Sequence, residues 1–141
     1  MSEVISKRPS LYYVEDEAQV ATFAREVLDM LGTVDISQFS ESPAALEAIR
    51  RDLPDILFTD GQMPEVHGIA LIKEALRIAE EQRRRIVCIL SSGTLYEVDE
   101  DPAFAELAAR AQDIMLQKPL KVPIIRSTVR IALERLRSVE E

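Results

Sequence analysis

Asp55-Ile56-Leu57-Phe58-Thr59-Asp60-Gly61-Gln62-Met63-Pro64-Glu65-Val66-His67-Gly68 decides how the chain folds. Ile56 to Thr59 runs without apolar–polar alternation, the pattern of a strand covered on both faces. Asp60 follows at once, then Gly61, Pro64 and Gly68 punctuate a loop before a helical pattern resumes at Ile69. The stretch therefore predicts a carboxylate at the carboxyl end of a central strand, the end at which open parallel sheets bind ligands. Taken alone, Asp60 reads as a turn residue or helix cap.

Working outward, other apolar runs also end in polar residues. Leu11 to Val14 leads into Glu15, Asp16 and Glu17, Ile86 to Leu90 into Ser91, Ser92 and Gly93, and Ile114 to Gln117 into Lys118 and Pro119. Between them, Val20, Phe23, Val27, Leu28 and Leu31 recur at helical spacing from Ala18 until Gly32 supplies a stop. Glu17 opens that helix, where an acid meets the positive dipole end. Residues 34–39 alternate imperfectly and predict a strand. Ser42-Pro43 opens a helix with Leu46 and Ile49 inward, ended by Leu53-Pro54. A helix over about residues 66–84 follows. Residues 94–101 read as an acidic turn, 102–111 as a helix poor in large apolar side chains, and 122–137 as a last helix with Ile124, Ile125, Val129, Leu133 and Leu136 inward. Five strands alternating with five helices over short connections predict an α/β domain: a doubly wound, five-stranded parallel sheet with helices on both faces.

An acidic pair, then Asp with Met-Pro three residues on and Gly beyond, then a hydroxyl, then Lys-Pro: in this order, over residues 11–136, the chain resembles the receiver domains of two-component response regulators. The resemblance implies a flavodoxin-like sheet of order 2-1-3-4-5 and a single receiver domain over residues 1–141, with no output domain in it. It implies phosphorelay signalling, in which a sensor histidine kinase or phosphotransfer protein passes a phosphoryl group from phosphohistidine to Asp60, changing affinity for an output protein or domain. A second copy of the chain, bound on phosphorylation, is a further partner. Such a chain is a phospho-accepting signalling domain rather than an enzyme.

The chemistry requires charge cancellation, because three anionic oxygens must approach a carboxylate nucleophile. Mg²⁺ supplies it with few carboxylates, since it keeps several waters. By resemblance, Asp16 and Asp60 are direct ligands, the Gln62 backbone carbonyl is a third, and Glu15 acts through a water. Lys118 and Ser91 would bind phosphoryl oxygens, with Ser92 the rival hydroxyl, and the bond before Pro119 would be cis. Two departures stand out: Glu15 where receivers commonly carry Asp, and Met115 where an aromatic is usual. Extra length falls around residues 94–101. The alternative is a pseudo-receiver, an interaction module never phosphorylated, although such domains usually lose an acid or the lysine. A hydrolase of the haloacid dehalogenase type needs an acid where Gln62 stands.

The 141 residues are enough to bury a sizeable core, and 47% hydrophobic content argues against disorder. A net charge of -8, with Arg83 to Arg85 the only basic run, opposes direct nucleic-acid binding, and that run suits a helix carboxyl end. The single cysteine, Cys88, lies inside an apolar strand and reads as a core residue. His67, the only histidine, reads as a solvated loop residue. No apolar run reaches the roughly 20 residues of a membrane span, and no signal peptide opens the chain, which predicts a cytoplasmic protein.

Overall fold

Ile56–Asp60 forms the central strand, β3, and all five of its residues are buried. The computed structural model describes residues 8–93 and 114–137; the expected turn over 94–101 and helix over 102–111 lie outside them. The remaining strands are β1 (Ser10–Val14), β2 (Asp35–Phe39), β4 (Val87–Ser92) and β5 (Ile114–Gln117). The helices are α1 (Ala18–Leu31), α2 (Ser42–Arg51), α3 (Gly68–Gln82) and α4 (Val122–Arg137). All four strand pairings are parallel and the order is β2-β1-β3-β4-β5, as the resemblance implies.

Successive side chains of a strand point to opposite faces, and this period of two sorts the core into two layers. Leu11, Tyr13, Ile56, Phe58, Val87, Ile89 and Leu116 meet α1 and α4 on one face. Val14, Leu57, Cys88 and Leu90 meet α2 and α3 on the other. Cys88 is thus a core residue, 1% exposed. Edge strand β2 is mostly exposed or half-buried, which explains its imperfect alternation.

Three helix expectations change. Alanines Ala21 and Ala24 join Val27 and Leu28 on the buried face of α1, where α1 packs closely against α4, while Phe23 is 38% exposed. In α4, Ile125, Thr128, Val129 and Ala132 are buried and Ile124 turns outward at 46% exposure. Helix α3 starts at Gly68 rather than near 66 and stops at Gln82, where Arg83 adopts a left-handed φ of 56° as its cap. Arg84 then ties this helix end to the turn before β3, donating to the Leu53 carbonyl at 3.0 Å and pairing with Asp55 at 3.1 Å.

Gly68 shows why α3 begins where it does. A Cβ there would collide with the Asp60 carbonyl, so only glycine lets the helix start against the end of β3. Gly68→Ala should therefore destabilise the fold by about 2 kcal/mol, as overpacking of a tight site does. Urea unfolding measures this, and a variant within about 0.5 kcal/mol of the parent would mean that α3 can back away without cost.

Candidate functional site

The carboxyl ends of β1, β3, β4 and β5 converge on one site. Glu15 and Asp60 share strand parity with the residues facing α1 and α4, and Ser91 pairs with Asp60 across the ladder, so Ser91 rather than Ser92 lies on the Asp60 side. Glu15 and Asp60 are 1% and 4% exposed, whereas Asp16, one residue on, is open to solvent. Each of the three acids offers an oxygen within 4.8 Å of the others. The Lys118 ammonium lies 3.0 Å from Glu15 Oε1 and 3.2 Å from Asp60 Oδ1. The Lys118–Pro119 bond is cis.

Backbone donors complete the frame. Gly61 N–H donates to the Ser91 carbonyl at 2.8 Å, Lys118 N–H to the Ser92 carbonyl at 2.9 Å, and Glu15 N–H to the Phe39 carbonyl at 3.1 Å. Glu17 N–H reaches Glu15 Oε2 at 3.2 Å, and the Gln62 N–H donates to the Asp60 carboxylate. Two buried hydroxyls, Ser91 Oγ and Tyr13 Oη, have no hydrogen-bond partner among the described residues. His67 is exposed at the start of α3, and Met115 on β5 is 38% exposed.

Burial pushes the Glu15 carboxyl above its ordinary range, and the neighbouring Asp60 charge adds to this against the opposing pull of Lys118. Burial likewise raises Asp60, which Lys118 and the Gln62 N–H only partly offset. For Lys118 burial alone would favour loss of its proton, yet the hydrogen bond to Glu15 and the charges of both acids together raise it. Burial first, then Glu15 and Asp60, raise the Tyr13 phenol.

The acidic donor set suits a hard, oxygen-seeking cation. Three acids that each offer an oxygen within 4.8 Å of the others would fit Mg²⁺, which takes oxygen ligands and keeps several waters. The pairing of Lys118 with Glu15 was not foreseen from sequence. Its signal is the extra methylene of Glu over Asp, which lengthens the reach toward the far side of the site. Nor did the sequence mark Tyr13, which reads as one more apolar strand residue until its hydroxyl is located.

A sequence profile of the response regulator receiver domain matches residues 11–130. The chain belongs to that family. The phosphate regulon transcriptional regulatory protein PhoB of Rhizobium meliloti (strain 1021) is 27% identical to this receiver over 127 residues, 90% of the chain and 53% of PhoB. The receiver thus spans about half the length of that relative. Among solved structures, a receiver domain protein from Clostridium thermocellum superposes with a TM-score of 0.74 at 19% identity, covering 93% of this chain and 98% of that one. A CheY-like receiver from Methylobacillus flagellatus gives 0.71 at 24% identity, covering 90% and 99%. One from Methanospirillum hungatei JF-1 gives 0.75 at 13% identity, covering 94% and 98%. At these identities the likeness is one of fold.

The raised carboxyl groups carry a stability consequence for the metal-free receiver. A carboxyl group whose pKa rises on folding stabilises the fold below its unfolded pKa of about 4, and this is lost as pH climbs through the folded value. Asp60→Asn removes one such group, so its melting temperature should exceed the parent's by a few degrees at pH 7 and the gap should close toward pH 4. Thermal unfolding across that range checks this; a gap that widens on acidification would contradict it.

Proposed function

We propose that this receiver accepts a phosphoryl group on Asp60 and that the modified surface changes its affinity for a partner. The observation carrying this is one ammonium, Lys118, held between two buried carboxylates beside a third exposed one. Asp60 is the nucleophile: a carboxylate oxygen attacks phosphorus, the bond from phosphorus to the donor's imidazole nitrogen breaks, and that nitrogen keeps the electron pair. Asp16, Asp60 and the Gln62 carbonyl would hold Mg²⁺, with Glu15 through a water. When bound, the ion neutralises charge on the phosphoryl oxygens. Lys118 leaves Glu15 and Asp60 to meet one of these oxygens, and the unpartnered Ser91 hydroxyl donates to another. No side chain need act as base, because a carboxylate attacks without giving up a proton, and Lys118 and the Gln62 N–H favour that ionised form.

The donor is a phosphohistidine on a sensor kinase or phosphotransfer protein. A largely apolar groove of about 450 Å³, lined by Val20, Phe23, Pro119 and Leu120, opens beside Lys118 and offers such a donor protein a footing next to the acceptor. Exposed Phe23 suits that role better than a place in the core. The net charge of -8 disfavours direct nucleic-acid contact, so the output is protein, in the same chain or another, a second copy included. Among the described residues no helix is long and apolar enough to cross a membrane. We place the signalling step in the cytoplasm, with phosphoryl transfer and self-dephosphorylation its only chemistry.

Incubation with Mg²⁺ and acetyl phosphate should add the mass of one phosphoryl group, read by intact-mass spectrometry, and Asp60→Asn should block it. Equal mass gain in that variant would sink the assignment. Asp16→Ala should weaken Mg²⁺ binding on the order of tenfold or more, since a direct ligand is lost, and phosphorylation should fall with it. Unchanged Mg²⁺ affinity in a titration would remove Asp16 from the ligand set.

A further inference from the structure

Ser42 stands at the start of α2, yet it does not cap that helix: the cap position is Glu41, which makes no side-chain cap bond. The Ser42 side chain is committed elsewhere. At 2% exposure, its hydroxyl donates to the Pro64 carbonyl at 2.9 Å and accepts at 3.1 Å from the Val66 N–H, which it shares with the Pro64 carbonyl at 2.8 Å. A single oxygen thus grips both sides of Glu65 in the loop that follows Asp60. Glu65 holds a left-handed φ of 72°, a region that side chains other than glycine and asparagine seldom adopt, so this turn needs to be held.

The same loop carries the Gln62 carbonyl. Its start is fixed by Gly61 N–H on the Ser91 carbonyl at 2.8 Å, and its end by Gly68 N–H on the Gly61 carbonyl at 3.1 Å. Between them Met63 is buried in the layer under α2 and α3 at 3% exposure. The segment from Pro64 to Val66 is held from outside the loop by the Ser42 hydroxyl and by the packing of Val66 against the layer under α2 and α3. If that hold is released, Glu65 is drawn toward an ordinary φ, and the rotation passes through Met63 to the peptide bearing the Gln62 oxygen. We infer that Ser42 is a positioning residue for the metal site, setting from α2 the direction of a carbonyl it never touches. The inference rests on the proposed Mg²⁺ role of Gln62.

Ser42→Ala removes one oxygen and leaves the helix start otherwise intact. In the metal-free receiver it should speed exchange of the Val66 amide by about tenfold, read by NMR-detected hydrogen exchange. In a Mg²⁺ titration it should weaken affinity by about three- to tenfold, in the lower range of what partners of metal ligands are worth. Adding Glu65→Gly, which accepts a positive φ at little cost, should recover most of that affinity. Thermal unfolding of each variant records any general loosening. Faster Val66 exchange with parental Mg²⁺ affinity would reduce Ser42 to a purely structural clip, and unchanged exchange would deny the clip itself. A double variant no tighter than Ser42→Ala would sever the link through Glu65. If the parent binds no Mg²⁺, the metal reading falls and this inference with it, whereas a failure confined to Ser42 leaves the reading standing.

Discussion

One cation serving two buried anions is the constraint on which the site depends. Glu15 and Asp60 are taken almost wholly out of water, and each would drift toward its neutral form were Lys118 not beside it. Removing Lys118, the shared cation, would leave two buried carboxylates uncompensated, which costs far more than a surface pair gains. The arrangement therefore sets one ammonium against three clustered acids, a site short of positive charge.

The parallel sheet makes that concentration of charge attainable. Each strand delivers its last residues to the same edge, and the ladder fixes which of them face the same side. Because Asp60 and Ser91 are register partners, their relative placement is set by backbone hydrogen bonds and not by loop conformation. Gly68 then lets α3 begin directly against the carbonyl of Asp60. Asp60 and Ser91 thus stand on rigid elements, whereas Asp16 and the stretch from Gly61 to His67 lie in loops.

Much of this was legible in the residues. Unbroken apolar runs at 56–59 and 86–90 marked buried strands, and their polar ends marked the candidate site. The family resemblance added the strand order, which periodicity cannot supply. Helix faces were less legible: Phe23 and Ile124 fit an apolar stripe by spacing, but small residues such as Ala21, Ala24 and Ala132 take the closest approaches. Hydropathy weights size, whereas packing distance rewards its absence. Ser42 was read as a helix opener, and its hold on Pro64 and Val66 was invisible because partners 22 and 24 residues apart leave no local signal. The lysine's pairing with Glu15 spans 103 residues and was hidden for the same reason.

The sorting of the core into two layers also acts as a partition. Every site side chain that reaches the interior belongs to the layer under α1 and α4, and five hydrogen-bonded strands stand between that layer and the one under α2 and α3. Side-chain repacking under α2 and α3 therefore reaches Asp60 through the main chain, as where Leu90 lies against Gly61. Among the described residues, the loop that leaves β3 joins the two halves right beside the candidate acceptor, with Met63 in one layer and Asp60 at the edge of the other.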